Sequence, residues 1–298
     1  MKVATSAYPL DALSSWAQYE DKISDWVARA AAEKAELLVF PEYAAMELAT
    51  LDGKDVAGDL EASLFAVSGR LPEADALHAR LAQDFGVHIL AGSGPAAYDL
   101  PEGVVRPVNR ARLFAPCGAI GVQDKQIMTR FEAEDWGVAP GGPLQLFETA
   151  IGKIGVLICY DSEFPLLGRA LAEADIILVP SVTEALSGYS RVHIGARARA
   201  LENQCVTIMS SVVGQADWSE AVDVSVGAGG VFGPPDRGFP ETGVLAQGEL
   251  NAPGWTFAEV DLEAIQAVRQ DGGVLNRRDW QHQIGRDETV TITPLTPN

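Results

Sequence analysis

Cysteine is scarce: three residues in 298 (Cys117, Cys159, Cys205), an odd number, widely spaced and with no CxxC pair. That argues against a disulfide scaffold and against a zinc site of familiar spacing, and makes reduced thiols the default. Histidine is equally thin. Of His78, His88, His193 and His282, none lies in a strand-end motif with a cysteine, and His193 is the only candidate partner for a Cys–His mechanism. Basic residues are few, 22 against 41 acidic ones, for a net charge of -19. Such a surface repels phosphate backbones, and the one local group of arginines (Arg106, Arg110, Arg112) is broken up by apolar and polar residues, so nucleic acid is not expected as a partner. No apolar run approaches the roughly 18 residues of a membrane helix. The start, MKVATSAYPLDALSS, has one lysine and is then interrupted by Pro9 and Asp11, so it does not read as a signal peptide; a cytoplasmic protein is expected. GxSxG, GxGxxG and P-loop motifs are absent, which removes the serine-hydrolase, dinucleotide and nucleotide readings.

What is present is an ordinary globular composition, 47% hydrophobic and 21% charged, enough for a large core. Short apolar strands alternate with helical stretches. Val3–Ser6, Glu36–Phe40, Val87–Gly92, Arg110–Ala115, Lys153–Tyr160, Asp175–Pro180 and Val206–Val212 read as strands. Ser15–Ala32, Pro72–Phe85, Phe164–Ala174 and Arg191–Glu202 read as helices, the second with its proline in the first turn. Later strands at Gly229–Phe232, Gly243–Leu245 and Trp255–Val260 are separated by Gly/Pro turns. The sheet region is therefore α/β and mixed rather than wholly parallel. No linker or repeat divides the chain; one domain over 1–270 is expected, with an extended C-terminal arm over 271–298 where periodicity is lost.

Three places join a reactive side chain to the end of an apolar strand, where α/β sheets gather their ligands. The first is Leu37-Leu-Val-Phe-Pro-Glu42-Tyr43. The second is Gly121-Val-Gln-Asp-Lys125-Gln-Ile-Met, followed by Thr129-Arg-Phe-Glu132-Ala-Glu134-Asp-Trp136. In the third, Ile154-Gly-Val-Leu-Ile-Cys159-Tyr160-Asp161-Ser-Glu163-Phe-Pro165, a cysteine ends a buried strand just before a helix, whose amino end would lower the thiol pKa and offer N–H groups to an oxyanion. Each alone has a plainer explanation: a packed core cysteine, a solvated loop carboxylate, a surface Lys–Asp pair. Together they supply the thiol, base and cation that covalent acyl transfer needs. Cys117 and Cys205 have no neighbouring base and read as packing residues.

In that order the segments resemble the carbon-nitrogen hydrolase (nitrilase) superfamily. Asn109 with Arg110–Phe114, Pro140-Gly141-Gly142, Leu178-Val-Pro-Ser181, Arg197-Ala-Arg199-Ala-Leu-Glu202-Asn203 and Gly229-Gly-Val-Phe-Gly-Pro234 resemble its other landmarks, over about residues 1–270. The resemblance implies a four-layer α-β-β-α sandwich, usually paired through its helical face into a homodimer or a larger homo-oligomer. It implies Cys159 as nucleophile, Glu42 as proton carrier, and Lys125 with the Tyr160 N–H as oxyanion holders. Glu132 is the choice for a second carboxylate, with Glu134 as the competing position. Tyr43, Tyr160, Glu163 and Thr183 are the implied substrate contacts. No metal and no organic cofactor is implied. Arg199, Glu202 and Asn203 read as a structural network.

The expected activity is hydrolysis of a small linear amide or N-carbamoyl compound through a thioester. The rivals are a nitrilase, in which a thioimidate forms first, a catalytically silent binding protein, and acyl transfer to an amine. Glu163 stands where branches of the family that act on carboxylate-bearing amides commonly carry arginine, so neutral or amine-bearing amides are expected over anionic ones.

Overall fold

A computed structural model describes residues 1–286 and 290–295. Its strands, in chain order, are β1 (Lys2–Pro9), β2 (Leu37–Val39), β3 (His88–Leu90), β4 (Gly94–Ala96), β5 (Val108–Phe114), β6 (Ile120–Asp124), β7 (Leu146–Thr149), β8 (Gly152–Val156), β9 (Ile176–Ser181), β10 (Val206–Gln215), β11 (Val224–Ser225), β12 (Gly230–Phe232), β13 (Val244–Gln247) and β14 (Gly254–Glu259). One half-sheet runs β4-β5-β3-β2-β1, with β14 antiparallel on the amino-terminal part of β1; the other runs β10-β9-β8-β7, with β12 antiparallel on the amino-terminal part of β10. Strand pairing joins the halves where the last residues of β1, Ala7–Pro9, lie parallel to Ser211–Val213 of β10. The sheets are mixed, as the turn-rich late strands imply.

Alternation along the strands assigns side chains to layers. Ala4, Tyr8, Leu38, Phe40 and Ile89 join one core with helices α1 (Trp16–Ala32) and α3 (Leu60–Phe85), while Val3, Leu37, Val39, Leu90 and Leu113 join the second half-sheet in another core. On the far side of that half-sheet, α5 (Leu186–Asn203) buries Val192, Ala196 and Ala200. The order helices, sheet, sheet, helices is the four-layer α-β-β-α sandwich.

The helices form for local reasons, and two depart from expectation. In α1, capped by Ser15 accepting from the Gln18 N–H, Tyr19, Ile23, Trp26, Val27 and Ala30 recur at helical spacing on the buried face. Helix α3 begins twelve residues before Pro72, capped by Asp59 accepting from the Ala62 N–H at 2.7 Å. Pro72 sits inside it rather than at its start. A proline in a long packed helix removes one backbone hydrogen bond, and the apolar stripe of Leu64, Val67, Leu71, Leu77 and Leu81 holds both sides of it together. The strand expected to reach Tyr160 ends at Val156, and the helix after it, α4 (Pro165–Ala170), is shorter than expected. A short helix α2 (Lys54–Gly58) precedes α3, and α6 (Leu262–Asp271) follows β14. Beyond it, in the segment expected to be extended, α7 (Asn276–Asp279) and a further helical turn at Trp280–Gln283 occur, with Arg277 bonded to Ala172 and Glu173. Residues 287–289 and 296–298 of that expected arm lie outside the described residues.

Behind the tip of β2, the turn Ala44–Asp52 is locked by Glu47, fully buried, which accepts from Lys22, from the Tyr8 hydroxyl (2.9 Å) and from the Asp11 N–H (2.6 Å). Burial nevertheless pushes its carboxyl up to about 7, against the pull of Lys22. A group that holds its proton more tightly when folded contributes stability that is full below its unfolded pKa and is lost as pH rises through about 7. Buried His78, lowered to about 4 mainly by desolvation, acts in the opposite sense, so the clean measurement is a difference. Wild type minus Glu47→Gln stability, from denaturant titrations at a series of pH values, should shrink by on the order of 3 kcal/mol between about pH 4.5 and 7.5. A difference that grows with pH would contradict this.

Candidate active site

Strands β1, β2, β3, β8, β9 and β10 run parallel, and β6, antiparallel to β5, which is itself antiparallel to β3, points the same way. Their carboxyl ends therefore share one edge of the sandwich. Glu42 follows β2, Lys125 follows β6, Cys159 follows β8 and Val182 follows β9, so two groups come from each half-sheet. The pieces are pinned individually. The Lys125 N–H donates to the Asn109 carbonyl and its carbonyl accepts from the Gly141 N–H, both at 2.9 Å. Gly141 passes so close that a Cβ there would lie 2.0 Å from the Asp124 Cβ, which is why a glycine follows Pro140. Tyr43 (φ 56°) and Cys159 (φ 50°) are both left-handed, a conformation that costs side-chain-bearing residues free energy and tends to persist at functional sites.

Lys125, 1% exposed, donates to Glu42 Oε1 at 2.7 Å and to Glu132 Oε2 at 2.6 Å. Glu42 also accepts from Asn109 Nδ2 at 2.9 Å and, through Oε2, from the Val182 N–H at 3.0 Å. Glu132, on a single π-type turn (Glu132–Trp136), accepts from the Tyr43 hydroxyl (2.7 Å), the Thr129 N–H (2.9 Å) and the Thr129 hydroxyl (2.8 Å). The Cys159 Sγ donates to the Val182 carbonyl at 3.5 Å, close enough to Glu42 for that charge to act on the thiol.

The two carboxylates are pushed apart. Burial raises Glu42, and the nearby Glu132 charge adds to this against Lys125; burial also presses Glu132 upward, but Lys125 and its hydrogen bonds bring it below the usual carboxylate range. Lys125 is raised: desolvation opposes its charge, and the two glutamates outweigh it. Glu42 can thus carry a proton while Glu132 and Lys125 stay ionised. The Cys159 thiol does not follow expectation. Its pKa is raised, first by burial and then by Glu42, and in place of the helix expected directly after it stands a five-residue turn (Cys159–Glu163) followed by a break at Phe164. The resting group is a thiol, and it needs a base.

These residues floor a pocket of about 510 Å³. Tyr43, Tyr160, Glu163 and Thr183 all line it, but their polar atoms are differently engaged. The Tyr43 hydroxyl is held by Glu132, and that of Thr183 donates to the Val226 carbonyl at 2.8 Å. Tyr160 rests edge-on against Phe164. Glu163 is paired with Arg191 at 3.3 Å, so its charge is offset rather than free to repel an anion. Glu134 lies at the surface with Arg130, 2.8 Å away. His193 contacts Gln247 and Phe232 and is not among the lining residues. Cys205 is buried, Cys117 exposed, and neither lines the pocket. Arg199 bonds Glu202 and the Ser162 carbonyl, and Asn203 bonds the Gly168 carbonyl, supports behind the Cys159 turn.

Sequence reasoning passed over three supports. Asp161 is buried and accepts from the Gln126 and Ile127 N–H groups at 2.9–3.2 Å, tying the Lys125 loop to the Cys159 turn. Asn109 was visible only as part of a strand, although an amide among apolar neighbours signals a specific partner. The Val182 N–H is a backbone group and leaves no mark on residue type. Among the described residues, no cluster of His, Cys, Asp and Glu could hold a metal ion, and no helix is long and apolar enough to cross a membrane.

Comparison with known proteins agrees with this architecture. The carbon-nitrogen hydrolase family matches residues 2–270. The probable hydrolase YhcX of Bacillus subtilis is 30% identical over 287 residues, covering 95% of this chain and 54% of that protein, so the chain spans about half the length of that relative. Saccharomyces cerevisiae Nit3, a member of branch 10 of the nitrilase superfamily, superposes with a TM-score of 0.69 at 23% identity, covering 91% of this chain and 93% of its own. A mutant amidase of Nesterenkonia sp. AN1, its active-site cysteine carrying acrylamide by Michael addition, superposes with a TM-score of 0.65 at 25% identity, covering 94% and 99%. The chain belongs to the carbon-nitrogen hydrolase family.

Proposed function

We propose that the chain hydrolyses a small linear amide or N-carbamoyl compound through a Cys159 thioester, without metal or organic cofactor. The observation that carries this reading is Lys125, buried and ion-paired to two carboxylates of opposite pKa shift beside a strained thiol. Glu42 takes the proton from the Cys159 thiol as sulfur attacks the carbonyl carbon. The carbonyl oxygen becomes an oxyanion held by the Lys125 ammonium and the Tyr160 N–H, which precedes the first hydrogen-bonded N–H of the Cys159 turn, Asp161 to Ile158. Glu42 then returns its proton to the departing nitrogen, the C–N bond breaks, and ammonia or an amine leaves. Glu42 next deprotonates water, which attacks the thioester; the C–S bond breaks and the proton returns to sulfur. Glu132 stays ionised throughout and holds Lys125 in place. The amidase reading draws support from the Nesterenkonia enzyme, an amidase whose active-site cysteine is nucleophilic enough to add acrylamide.

Ammonia release from a panel of amides, N-carbamoyl compounds and nitriles tests the reaction, with mass spectrometry of a trapped acyl-enzyme locating the nucleophile. Cys159→Ala should abolish turnover with its melting temperature kept, while Cys117→Ala and Cys205→Ala stay active. Turnover by the Cys159 variant would falsify the assignment, and a nitrile-only panel would replace amidase with nitrilase.

Lys125→Ala should lower kcat/KM by about 10²-fold or more, the scale of a lost oxyanion donor. Glu132→Gln should be comparably severe and Glu134→Gln nearly silent; the reverse order would move the second carboxylate to position 134.

A homodimer is part of the same reading. Leu186, Ile194 and Leu201 form an exposed apolar stripe along α5, with exposed Leu166 on neighbouring α4. Light scattering after size exclusion should give a dimer or a larger assembly, and Ile194→Asp should shift it toward monomer. A monomeric wild type would remove this part.

A further inference from the structure

The pocket is larger and more acidic than hydrolysis of a minimal amide requires. Its mouth carries Glu163, Glu184, Glu220 and Asp223 against one arginine, Arg191, which is already paired to Glu163. Some surface carboxylates elsewhere hold arginines, such as Glu20 with Arg80, Asp52 with Arg70, Glu61 with Arg106 and Glu134 with Arg130. Among the described residues, Glu184, Glu220 and Asp223 form no ion pair.

Glu220, Asp223 and Val224 also line a second, more open hollow of about 600 Å³, which adjoins the pocket at these residues. It is lined further by Asp55, Asp217 and Ser219, and among the described residues Lys54 is its one cation. Ser219 is 2% exposed and its Oγ has no protein partner, an uncommon state for a buried hydroxyl. The loop from β10 to β11 that carries these groups is braced at its base by the Ala216 N–H on the Asp223 carbonyl (2.7 Å) and the Ser219 N–H on the Ala216 carbonyl (2.9 Å), and Trp218 is packed into the core with α1 and α3. The acids are therefore presented from a fixed scaffold. Unpaired charges of one sign along a concave wall concentrate the opposite charge there.

Building on the amidase reading, we infer that the substrate is an elongated amide whose far end is a cation, an ammonium or guanidinium, received by Glu220 and Asp223 with Glu184 at the mouth and extending toward Ser219 in the outer hollow. These residues, rather than Glu163, which is paired to Arg191, carry the charge selection. The chemistry at Cys159 is unaltered; the acids select what reaches it.

The test compares kcat/KM for straight-chain amides matched in length, ending in an ammonium, a methyl group or a carboxylate. The ammonium member should be preferred over the methyl one by about 10-fold or more at low salt, with the preference falling as salt is added and the carboxylate member poorest. The Glu220→Gln/Asp223→Asn double variant should bring the ammonium-to-methyl ratio close to one. Turnover with no ammonium preference, or a preference that survives in the double variant, overturns the inference and leaves the amidase reading standing. Failure to hydrolyse any amide overturns that reading instead. In that event, protection of Cys159 from acrylamide, read by peptide mass spectrometry, decides the inference: a long-chain alkylammonium should protect and the alkanoate of equal length should not, and equal protection would overturn it.

Discussion

Lys125 is a lysine with almost no access to water, and the rest of the site is arranged around the cost of keeping it charged there. Desolvating an ammonium costs several kcal/mol unless opposite charges and hydrogen bonds replace its water. Glu42 and Glu132 do this from two directions at 2.7 and 2.6 Å. Two carboxylates on one cation leave an excess negative charge, and the structure resolves it by treating them differently. Glu132 receives three further hydrogen bonds from Tyr43 and Thr129 and stays ionised, whereas Glu42, deeper in the cost of burial, is eased toward its protonated form. The asymmetry that eases one glutamate toward its protonated form and keeps the other an ionised counter-ion comes from their surroundings, because the side chains are identical.

That arrangement depends on the meeting of two half-sheets. Glu42 and Lys125 belong to one and Cys159 and Val182 to the other; the halves share a core between their facing sheets, and strand pairing joins them through a few residue pairs at the ends of β1 and β10. A displacement at that seam would separate the Cys159 thiol from Glu42. Several links across or behind it act against this: the Val182 N–H on Glu42, Asp161 on the Lys125 loop, and the Glu47–Lys22–Tyr8 cluster behind the tip of β2. The strained φ angles of Tyr43 and Cys159 are tolerated because these contacts over-determine their neighbourhood.

Charge is partitioned by depth. At the floor every ionised group is paired; at the mouth Glu184, Glu220 and Asp223 are not. In a low-dielectric interior an unpaired charge would be too costly, whereas near solvent it is affordable and can act on an approaching molecule. The net charge of -19 gives the whole surface the same bias, and the concave mouth concentrates it.

Periodicity in the sequence determined the α/β class, nearly all the principal strands and the face of α1 that is buried, because each rests on local spacing of apolar residues. Strand-end chemistry marked Glu42, Lys125 and Cys159 as candidates. The family resemblance and the spacing from Lys125 pointed to Glu132, with Glu134 as the competing position; Glu132 lies on Lys125 and Glu134 at the surface. Local signals misplaced the start of α3, since Pro72 is a start signal only when tertiary packing does not carry a helix through it. They also gave the wrong direction for the Cys159 pKa, because burial and a neighbouring carboxylate are properties of the assembled site. The roles of Asp161, of the Val182 N–H and of the loop that carries Glu220 and Asp223 were decided by the tertiary structure alone. Each depends on which distant backbone or side chain comes to lie opposite, and sequence spacing does not encode that when the partners are dozens of residues apart.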